Sequence, residues 1–252
     1  MSIKELFENG YTIIPSLISE ETCDKLISNL DERFNEDLSY NYSKGHYQIH
    51  LPDGLEDFPK EIVLNDTIHN LLQNIFGKNY YMYSYTCNAN IASDNQPYHM
   101  DCSHFHPIDT IKQFGSPGPP VQIIVNTYLQ DTDELNGSFD IVPGSHLFTD
   151  FEIDEEGEIN EKYIKKSVRC NLPKGSVIIR DKRTWHRGTK NRGTKNRGTK
   201  NRGTKNSSGK VRYMVGTGYS MNWYKLNNLN FKKECEDILY NAPFSIWNLD
   251  FK

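Results

Sequence analysis

Residues 96–107, QPYHMDCSHFHP, include the side chains best suited to hold a metal ion. His99 and Asp101 are separated by one residue, so in an extended or turning backbone both side chains point the same way. An imidazole and a carboxylate placed in this way could reach the same ion. A lone H-x-D pair also arises often by chance, and a structural or surface role is then the more frequent explanation.

A further histidine, His186, lies in PKGSVIIRDKRTWHRGT, residues 173–189, after a turn, a β-prone run and a second turn. Two histidines and one carboxylate on one face of an iron(II) ion leave coordination positions open, as an oxygenase needs for a chelating co-substrate and O₂. A closed four-ligand zinc site leaves none. The five cysteines contain no C-x-x-C pair, which argues against a thiolate site and fits a reducing compartment.

An arginine follows on a β-prone segment, KVRYMVGTGY, residues 210–219. Apolar residues at 211, 213 and 215 alternate with Arg212, Met214 and Gly216, so Arg212 is expected on the face opposite the apolar one. A buried guanidinium there offers a two-pronged donor to a dicarboxylate co-substrate. Without the metal motif, a strand-end surface arginine would be the simpler interpretation.

The size and composition of the chain favour one domain. Its 252 residues are 36% hydrophobic, enough for one substantial core, so residues 1–252 are expected to form a single domain. The longest apolar runs, such as VQIIV, are far shorter than the ~20 residues of a membrane span. The opening MSIKELFENG has no apolar signal core. These features predict a soluble, cytoplasmic protein without a membrane partner, and no pattern sets the oligomeric state.

Four identical copies of RGTKN run from Arg187 to Asn206 in a chain whose net charge is −4. Because each copy adds one arginine and one lysine, the remaining residues are more acidic, notably DFEIDEEGEINE at 150–161. Short charged stretches are usually solvated loops, so no nucleic-acid partner is expected. The repeat has no apolar residue, and its period of five matches neither strand nor helix. Residues 187–206 are therefore predicted to be a basic loop insertion.

The N-terminal part, up to about residue 79, is predicted to be a helical cap around a short strand, YTIIPSLI. Ser19 is a plausible N-cap for a helix whose apolar face includes Cys23, Leu26, Ile27, Leu30 and Phe34. A second helix is expected at Asp66–Phe76, with Gly77 as its C-terminal stop.

From about residue 80 to 222 the sequence is a series of short β-prone runs separated by Gly, Pro, Asn and Asp. No helix-length amphipathic segment lies between them, which favours a two-sheet barrel or jelly roll over βαβ units. In VQIIVNTYL, Ile123 and Val125 share one face, and Asn126 and Tyr128 the other. The polar face either meets water or lines a polar cavity.

Three motifs in this order resemble the phytanoyl-CoA dioxygenase (PhyH-like) family of Fe(II)/2-oxoglutarate-dependent oxygenases. They are YHMD, NGSFDIVPGSH at Asn136–His146, and KGSVIIRDKRTWHRG followed by an arginine-led strand. The resemblance covers roughly Tyr80–Ser220. It implies a mainly β fold with flanking helices around a double-stranded β-helix, the cupin-like jelly roll.

The resemblance also implies an activity and a set of site residues. His99, Asp101 and His186 would be the iron ligands, Arg212 would bind the distal carboxylate of 2-oxoglutarate, and Asn126 would line the co-substrate pocket. The expected protein is a dioxygenase that uses Fe(II), 2-oxoglutarate and O₂ to hydroxylate a small-molecule or acyl substrate, releasing succinate and CO₂. The aspartate favours hydroxylation over halogenation, because a small residue there would leave a site for halide.

Two alternative functions are also compatible with the sequence. The chain could be a catalytically silent jelly-roll binding protein, or a zinc hydrolase using His99, Asp101 and His104, which lacks an evident general base. His146 in the PGSH turn is expected to be structural. The loop that carries His104 and His106 is either a substrate lid or an irregular connection.

The position of the arginine depends on the repeat. Arg212 lies 26 residues beyond His186, whereas the family places this arginine much nearer; without three repeat copies the spacing is eleven. Arg197, inside the repeat, also lies eleven residues beyond His186. Arg212 is preferred because its strand has apolar neighbours, whereas Arg197 has only Gly, Thr, Lys and Asn around it.

Overall fold

The structure is a computed structural model that describes residues 3–34, 40–50, 59–102, 113, 117–148, 159–192 and 211–224, and the short strands 230–231, 245–246 and 250–251. Three candidate residues discussed above lie outside these ranges, His104, His106 and Arg197, and so does one of the five cysteines, Cys235. Most of the acidic stretch at 150–161 and most of the repeat also lie outside them.

The described part of the chain combines many strands with short helices. The helices are α1 (Ile3–Asn9), α2 (Glu20–Arg33), α3 (Lys60–Val63), α4 (Asp66–Phe76) and α5 (Glu161–Ile164), with a 3₁₀ turn at Ser145–Leu147. The strands are β1 (Tyr11–Ile14), β2 (Tyr40–Ser43), β3 (His46–His50), β4 (Tyr80–Ile91), β5 (Gln122–Tyr128), β6 (Phe139–Ile141), β7 (Val168–Cys170), β8 (Val177–Asp181), β9 (His186–Gly188), β10 (Val211–Met221), β11 (Asn230–Phe231), β12 (Ser245–Ile246) and β13 (Asp250–Phe251).

Two sheets form the centre of the molecule. The larger has the order β1-β8-β5-β10-β4-β3-β2 with antiparallel neighbours, and β12 pairs with β4 in parallel. The smaller has the order β7-β6-β9. Apolar side chains of both sheets, including Tyr128, Phe139, Ile141, Ile178 and Met214, share one cluster. The predicted mainly β fold with flanking helices is confirmed at this level.

The local signals for the helices were accurate. The Ser19 side chain accepts a hydrogen bond from the Thr22 backbone N–H and caps α2. The helix α4 spans Asp66–Phe76 as predicted and ends at Gly77, whose φ of 75° suits glycine. Leu26 and Leu30 of α2 and Leu72 of α4 join the large apolar cluster against the sheet.

The alternation along the central strands separates core from cavity. Ile123 and Val125 of β5 and Tyr213 and Val215 of β10 lie in the cluster under the helices. Asn126 and Arg212, on the opposite face of the same strands, line a cavity between the two sheets. Of the two possibilities for the polar face of β5, the cavity is therefore correct.

The N-terminal segment contributes more than the expected helical cap. Strand β1 pairs with β8, and β3 pairs with β4, so the large sheet includes strands from both sides of residue 79. The sequence HYQIH of β3 is polar at alternate positions and gave little apolar signal. The expected strand YTIIPSLI stops at Ile14, because Pro15 and Ser16, with φ of 47°, turn the chain.

The first copy of the pentapeptide, Arg187–Asn191, is part of the β structure, which corrects the prediction that all of 187–206 is a loop. Arg187 and Gly188 belong to β9. Arg187 Nε donates to Asp140 Oδ2 at 3.0 Å. Contacts with distant parts of the chain, rather than the local pattern, therefore fix this copy.

Two further side chains of the first copy are buried. The Thr189 hydroxyl donates to the Ser138 carbonyl at 2.5 Å, and Asn191 Nδ2 donates to the Asn90 carbonyl at 2.7 Å. Both residues are under 4% exposed. These bonds tie the start of the repeat to the strands that frame the cavity.

Replacing Thr189 by valine should lower the free energy of unfolding by about 0.5–1.5 kcal/mol, because the buried Ser138 carbonyl loses the hydroxyl and keeps only the Thr189 N–H as a donor. The matched control is Thr199→Val, the same change in an identical pentapeptide whose composition predicts a solvated loop. Urea denaturation of both variants checks this. Equal effects of the two substitutions would contradict a structural role particular to the first copy.

Deleting residues 192–206 should leave stability nearly unchanged, because one copy remains to occupy the position of Arg187–Asn191. Shortening a solvated loop, which the composition of these residues predicts, changes its closure entropy little, by only ~0.6 kcal/mol for each doubling of length. Thermal unfolding and 2-oxoglutarate binding of the deletion variant measure this. A large loss of either would show that the later copies have a role of their own.

His69 on α4 provides a prediction on pH. Its Nε2 donates to the Val63 carbonyl at 2.6 Å, its Nδ1 accepts from the Tyr80 hydroxyl at 2.7 Å, and burial lowers its pKa below 6.5. The unfolded chain then binds more protons, so the free energy of unfolding should fall as pH decreases below about 6.5. His69→Gln should reduce this dependence by up to ~1.4 kcal/mol per pH unit. Urea unfolding at pH 7.5 and 5.5 tests it; an unchanged slope would contradict it.

Candidate metal centre

The backbone brings His99 and His186 side by side. The two residues form an isolated antiparallel bridge, in which each N–H donates to the other's carbonyl, at 2.9 and 3.0 Å. Their ring centroids are 4.4 Å apart. Two residues further on, the Asp101 N–H donates to the Lys182 carbonyl at 3.1 Å, which holds the Asp101 backbone against the segment before His186. Distant segments are thus aligned so that three polar side chains meet.

Both histidines present the same ring nitrogen to this meeting point. Nδ1 of His99 lies 2.9 Å from the Pro97 carbonyl oxygen, and Nδ1 of His186 lies 2.8 Å from the Thr184 carbonyl oxygen. Because a carbonyl can only accept, each Nδ1 carries the proton and each Nε2 keeps its lone pair. This is the tautomer that binds a metal through Nε2.

Asp101 completes a group of three potential ligands. Its Oδ1 is 3.8 Å from His99 Nε2 and 3.6 Å from His186 Nε2, and the ligand atoms of the three residues all lie within 4.8 Å of one another. Two atoms that are each bound at about 2.1 Å to one ion lie roughly 3.0 to 4.2 Å apart, so both separations from Asp101 Oδ1 fall within the range that one ion allows. The arrangement therefore fits a metal ion held on one side by two imidazoles and a carboxylate.

The other carboxylate oxygen of Asp101 is bound by an arginine. Arg180 Nη2 donates to Asp101 Oδ2, and Arg180 Nε donates to Asn126 Oδ1 at 3.2 Å. Burial alone would raise the pKa of Asp101, but the charge of Arg180 and its hydrogen bond to the carboxylate hold that pKa well below its usual range. Asp101 is thus ionised, with Oδ1 left to face the histidines.

His186 is buried and uncharged. Burial holds its pKa well below 6.5, and the nearby Arg180 guanidinium lowers it further. The Phe139 ring stacks on it with centroids 5.0 Å apart. A neutral imidazole fixed on one side by an aromatic ring is ready to coordinate without first losing a proton.

The PGSH turn holds the chain just before His186. The Ser145 hydroxyl accepts from the Trp185 N–H at 2.8 Å, and the Val142 N–H donates to the Trp185 carbonyl at 2.9 Å. His146 is buried, with Nε2 3.0 Å from the Phe7 carbonyl oxygen. These contacts support the structural role expected for His146.

The three ligands lie in the wall of a cavity of about 440 Å³. Arg212 is in the same wall, in register with Asn90 of β4, which is itself in register with His46 of β3. Asn126 also lines the cavity, 3% exposed, and its side-chain oxygen contacts Arg180. All five residues singled out from the sequence therefore face one space.

Arg180 was missed by the sequence analysis. The signal was present as a single charge in the apolar strand SVIIR, where a side chain on the face opposite Ile179 must enter the cavity. Its contact with Asp101 depends on where the segment around residue 101 runs, and no local pattern indicates that.

A family model described as phytanoyl-CoA dioxygenase (PhyH) matches residues 6–199. The chain belongs to the phytanoyl-CoA dioxygenase family. The resemblance recognised from the three motifs is thus confirmed, and the match extends into the N-terminal helices. It stops inside the repeat, so Arg212 lies beyond the matched residues. With its assembled His-Asp-His group, this family member is an iron- and 2-oxoglutarate-dependent enzyme, as the sequence predicted.

Two solved structures of one protein share the fold. They are the non-heme alpha ketoglutarate dependent epimerase SnoN from nogalamycin biosynthesis and the same epimerase in complex with Fe3+, alpha ketoglutarate and nogalamycin RO. The first has a TM-score of 0.59 and 14% identity, over 87% of this chain and 79% of that one. The second has a TM-score of 0.60 and 14% identity, over 87% and 82%. At this identity the likeness shows the fold alone.

Among the helices that the structure describes, none has both the length and the apolar character needed to cross a membrane.

Proposed function

We propose that the protein is an Fe(II)- and 2-oxoglutarate-dependent dioxygenase that hydroxylates a small-molecule or acyl substrate and releases succinate and CO₂. The observation that carries this proposal is the convergence of His99 Nε2, Asp101 Oδ1 and His186 Nε2 on the wall of a polar cavity. Three ligands from one side leave the cavity side open to a chelating co-substrate and O₂. The family and the Fe3+ and alpha ketoglutarate in the SnoN complex support it.

Each named residue has a distinct role in this proposal. His99, Asp101 and His186 would hold the iron, which, with 2-oxoglutarate and O₂, supplies the oxidising chemistry. Arg212, 6% exposed, would bind the distal carboxylate of 2-oxoglutarate. Asn126 would act on the metal position indirectly, because its Oδ1 orients Arg180, which in turn holds Asp101.

The two alternatives from the sequence differ in what they would bind or release. A silent binding protein could take up 2-oxoglutarate but would not convert it. A zinc hydrolase would use His104, which lies outside the described residues, and would leave Arg212 without a function. The carboxylate of Asp101 occupies a ligand position, which favours hydroxylation over halogenation.

The test is succinate formation by the full-length protein with Fe(II), 2-oxoglutarate and O₂, measured with Zn(II) as the control metal. Because turnover without substrate is slow in such enzymes, binding of Mn(II) and 2-oxoglutarate is measured in parallel. With a metabolite mixture present, a product heavier by one oxygen supports hydroxylation. A product of unchanged mass would indicate an isomerisation, such as an epimerisation, instead of hydroxylation. No iron-dependent succinate despite bound metal and 2-oxoglutarate would contradict the dioxygenase.

A further inference from the structure

The cavity wall carries an excess of positive charge. Arg180, Lys182 and Arg212 line it, whereas Asp101 is the one carboxylate among its described lining residues. Lys182 is half-buried, so water can solvate its amine, but the two arginines are 4% and 6% exposed. Buried guanidinium groups require anionic partners.

Arg180 uses only part of its donor capacity within the protein. Its Nε binds Asn126 and its Nη2 binds Asp101. Its Nη1 is buried and has no hydrogen-bond partner among the residues that the structure describes. A buried donor left without an acceptor is costly, so this atom points to an oxygen supplied by a ligand.

Tyr83 contributes a second donor of the same kind. It lies at a β-bulge of β4 opposite Gly218, where an added Cβ would come within 2.5 Å of the Tyr83 ring. The bulge turns the ring into the cavity beside Ser84. Its hydroxyl is buried without a partner in the described part of the chain. Burial, reinforced by the Asp101 charge, raises the pKa of Tyr83 well above 10, so the hydroxyl stays a donor.

The two donors suit a carboxylate. Arg180 Nη1 belongs to a positively charged guanidinium and the Tyr83 hydroxyl is a second donor, so together they can bind the two oxygens of one carboxylate. A charge-assisted hydrogen bond from a guanidinium is stronger than one between neutral groups, which favours a carboxylate over an uncharged oxygen.

We propose that Arg180 Nη1 and the Tyr83 hydroxyl form a binding site for a carboxylate of the substrate, next to the metal ligand Asp101. The inference rests on the proposed function and extends it, because it assigns the substrate to the class of small organic acids. The site would place the carboxylate over the row in which Arg180, Ile124 and Gly218 pair across the sheet, while Arg212, with the co-substrate, lies six residues before Gly218 on β10. Oxidation would then occur on carbon atoms close to that carboxylate.

The test measures binding rather than turnover. Full-length protein is loaded with Mn(II) and saturating 2-oxoglutarate, and broadening of the ¹H NMR signals of straight-chain acids from propionate to octanoate is recorded. The matching primary amides are the uncharged controls. We expect broadening for at least one acid, at least about tenfold weaker binding of its amide, and loss of the acid's broadening in Arg180→Met.

The substitution Tyr83→Phe separates binding from folding, because removing a hydroxyl that lacks a protein partner should not destabilise the protein. It should weaken acid binding about three- to tenfold and leave 2-oxoglutarate affinity unchanged. Tyr81→Phe is the matched control, since the Tyr81 hydroxyl donates to the Tyr224 carbonyl away from the cavity and should not affect acid binding.

Three results would overturn the inference. Equal binding of acids and amides would show that the protein does not recognise a carboxylate. Undiminished acid binding in both Arg180→Met and Tyr83→Phe would show that the acid does not bind at these two residues. If Tyr83→Phe weakens 2-oxoglutarate binding instead, the oxygen bound there belongs to the co-substrate. Failure of the unmodified protein to bind Mn(II) and 2-oxoglutarate, seen before any acid is added, would instead count against the proposed function itself.

Discussion

Alanine at position 186 should reduce metal affinity by at least about a hundredfold and abolish iron-dependent succinate formation. Even changes next to a metal ligand typically reduce metal affinity by about 10- to 100-fold, and this change removes a ligand. Nε2 of His186 is one of three atoms that converge on the proposed metal position, and among the described residues His99 is the one other histidine of that group. Mn(II) binding followed by electron paramagnetic resonance measures the affinity.

His146→Gln is the control for this substitution. His146 is also buried and also sits in a family motif, but it contacts the Phe7 carbonyl rather than the metal group. Its replacement should lower thermal stability and leave Mn(II) affinity within about twofold, because the ligand atoms are unchanged. Equal loss of metal affinity in the two variants would mean that His186 acts through folding and not as a ligand.

The second large effect is expected at Arg212. Arg212→Met should weaken 2-oxoglutarate binding on the order of a hundredfold, because loss of one partner of a buried charge pair costs about 2–5 kcal/mol. The 2-oxoglutarate affinity of Arg212→Lys should lie between those of the unmodified protein and Arg212→Met, since lysine keeps the charge but not the two-pronged geometry. Isothermal titration of the Mn(II)-loaded protein gives the affinities.

Arg197→Met is the decisive comparison for Arg212. Both arginines can be placed eleven residues after His186. Arg197 has this spacing in the sequence as it stands, and Arg212 has it once three repeat copies are subtracted. The structure places Arg212 in the cavity wall, on a strand bonded to β4 and β5, whereas Arg197 lies outside the described residues. Normal affinity in Arg197→Met is expected; a loss there with normal affinity in Arg212→Met would reverse the assignment.

Local patterns predicted the parts of the fold that depend on local chemistry. The cap at Ser19 and the stop at Gly77 follow from backbone groups that each helix end must satisfy nearby. The alternation in β5 and β10 correctly separated core from cavity because a strand has only two faces. The same alternation could not say whether the polar face met water, since that depends on the opposite sheet.

The repeat shows what sequence alone could not supply. Arg187 and Arg197 sit in identical pentapeptides, yet Arg187 is fixed by Asp140 within β9. Nothing within five residues distinguishes one copy from the next, and the first copy begins in β9 because it follows His186, which pairs with His99. Arg180 was overlooked for the same reason, since its partner Asp101 lies 79 residues away in the chain. Contacts between distant segments carry no local signature.

The most direct test is anomalous diffraction at the iron edge from crystals soaked anaerobically with Fe(II) and 2-oxoglutarate. We predict one strong peak about 2.0–2.2 Å from His99 Nε2, Asp101 Oδ1 and His186 Nε2. We also predict 2-oxoglutarate density that reaches from that peak to Arg212. A peak elsewhere, or a fourth protein ligand closing the site, would contradict it.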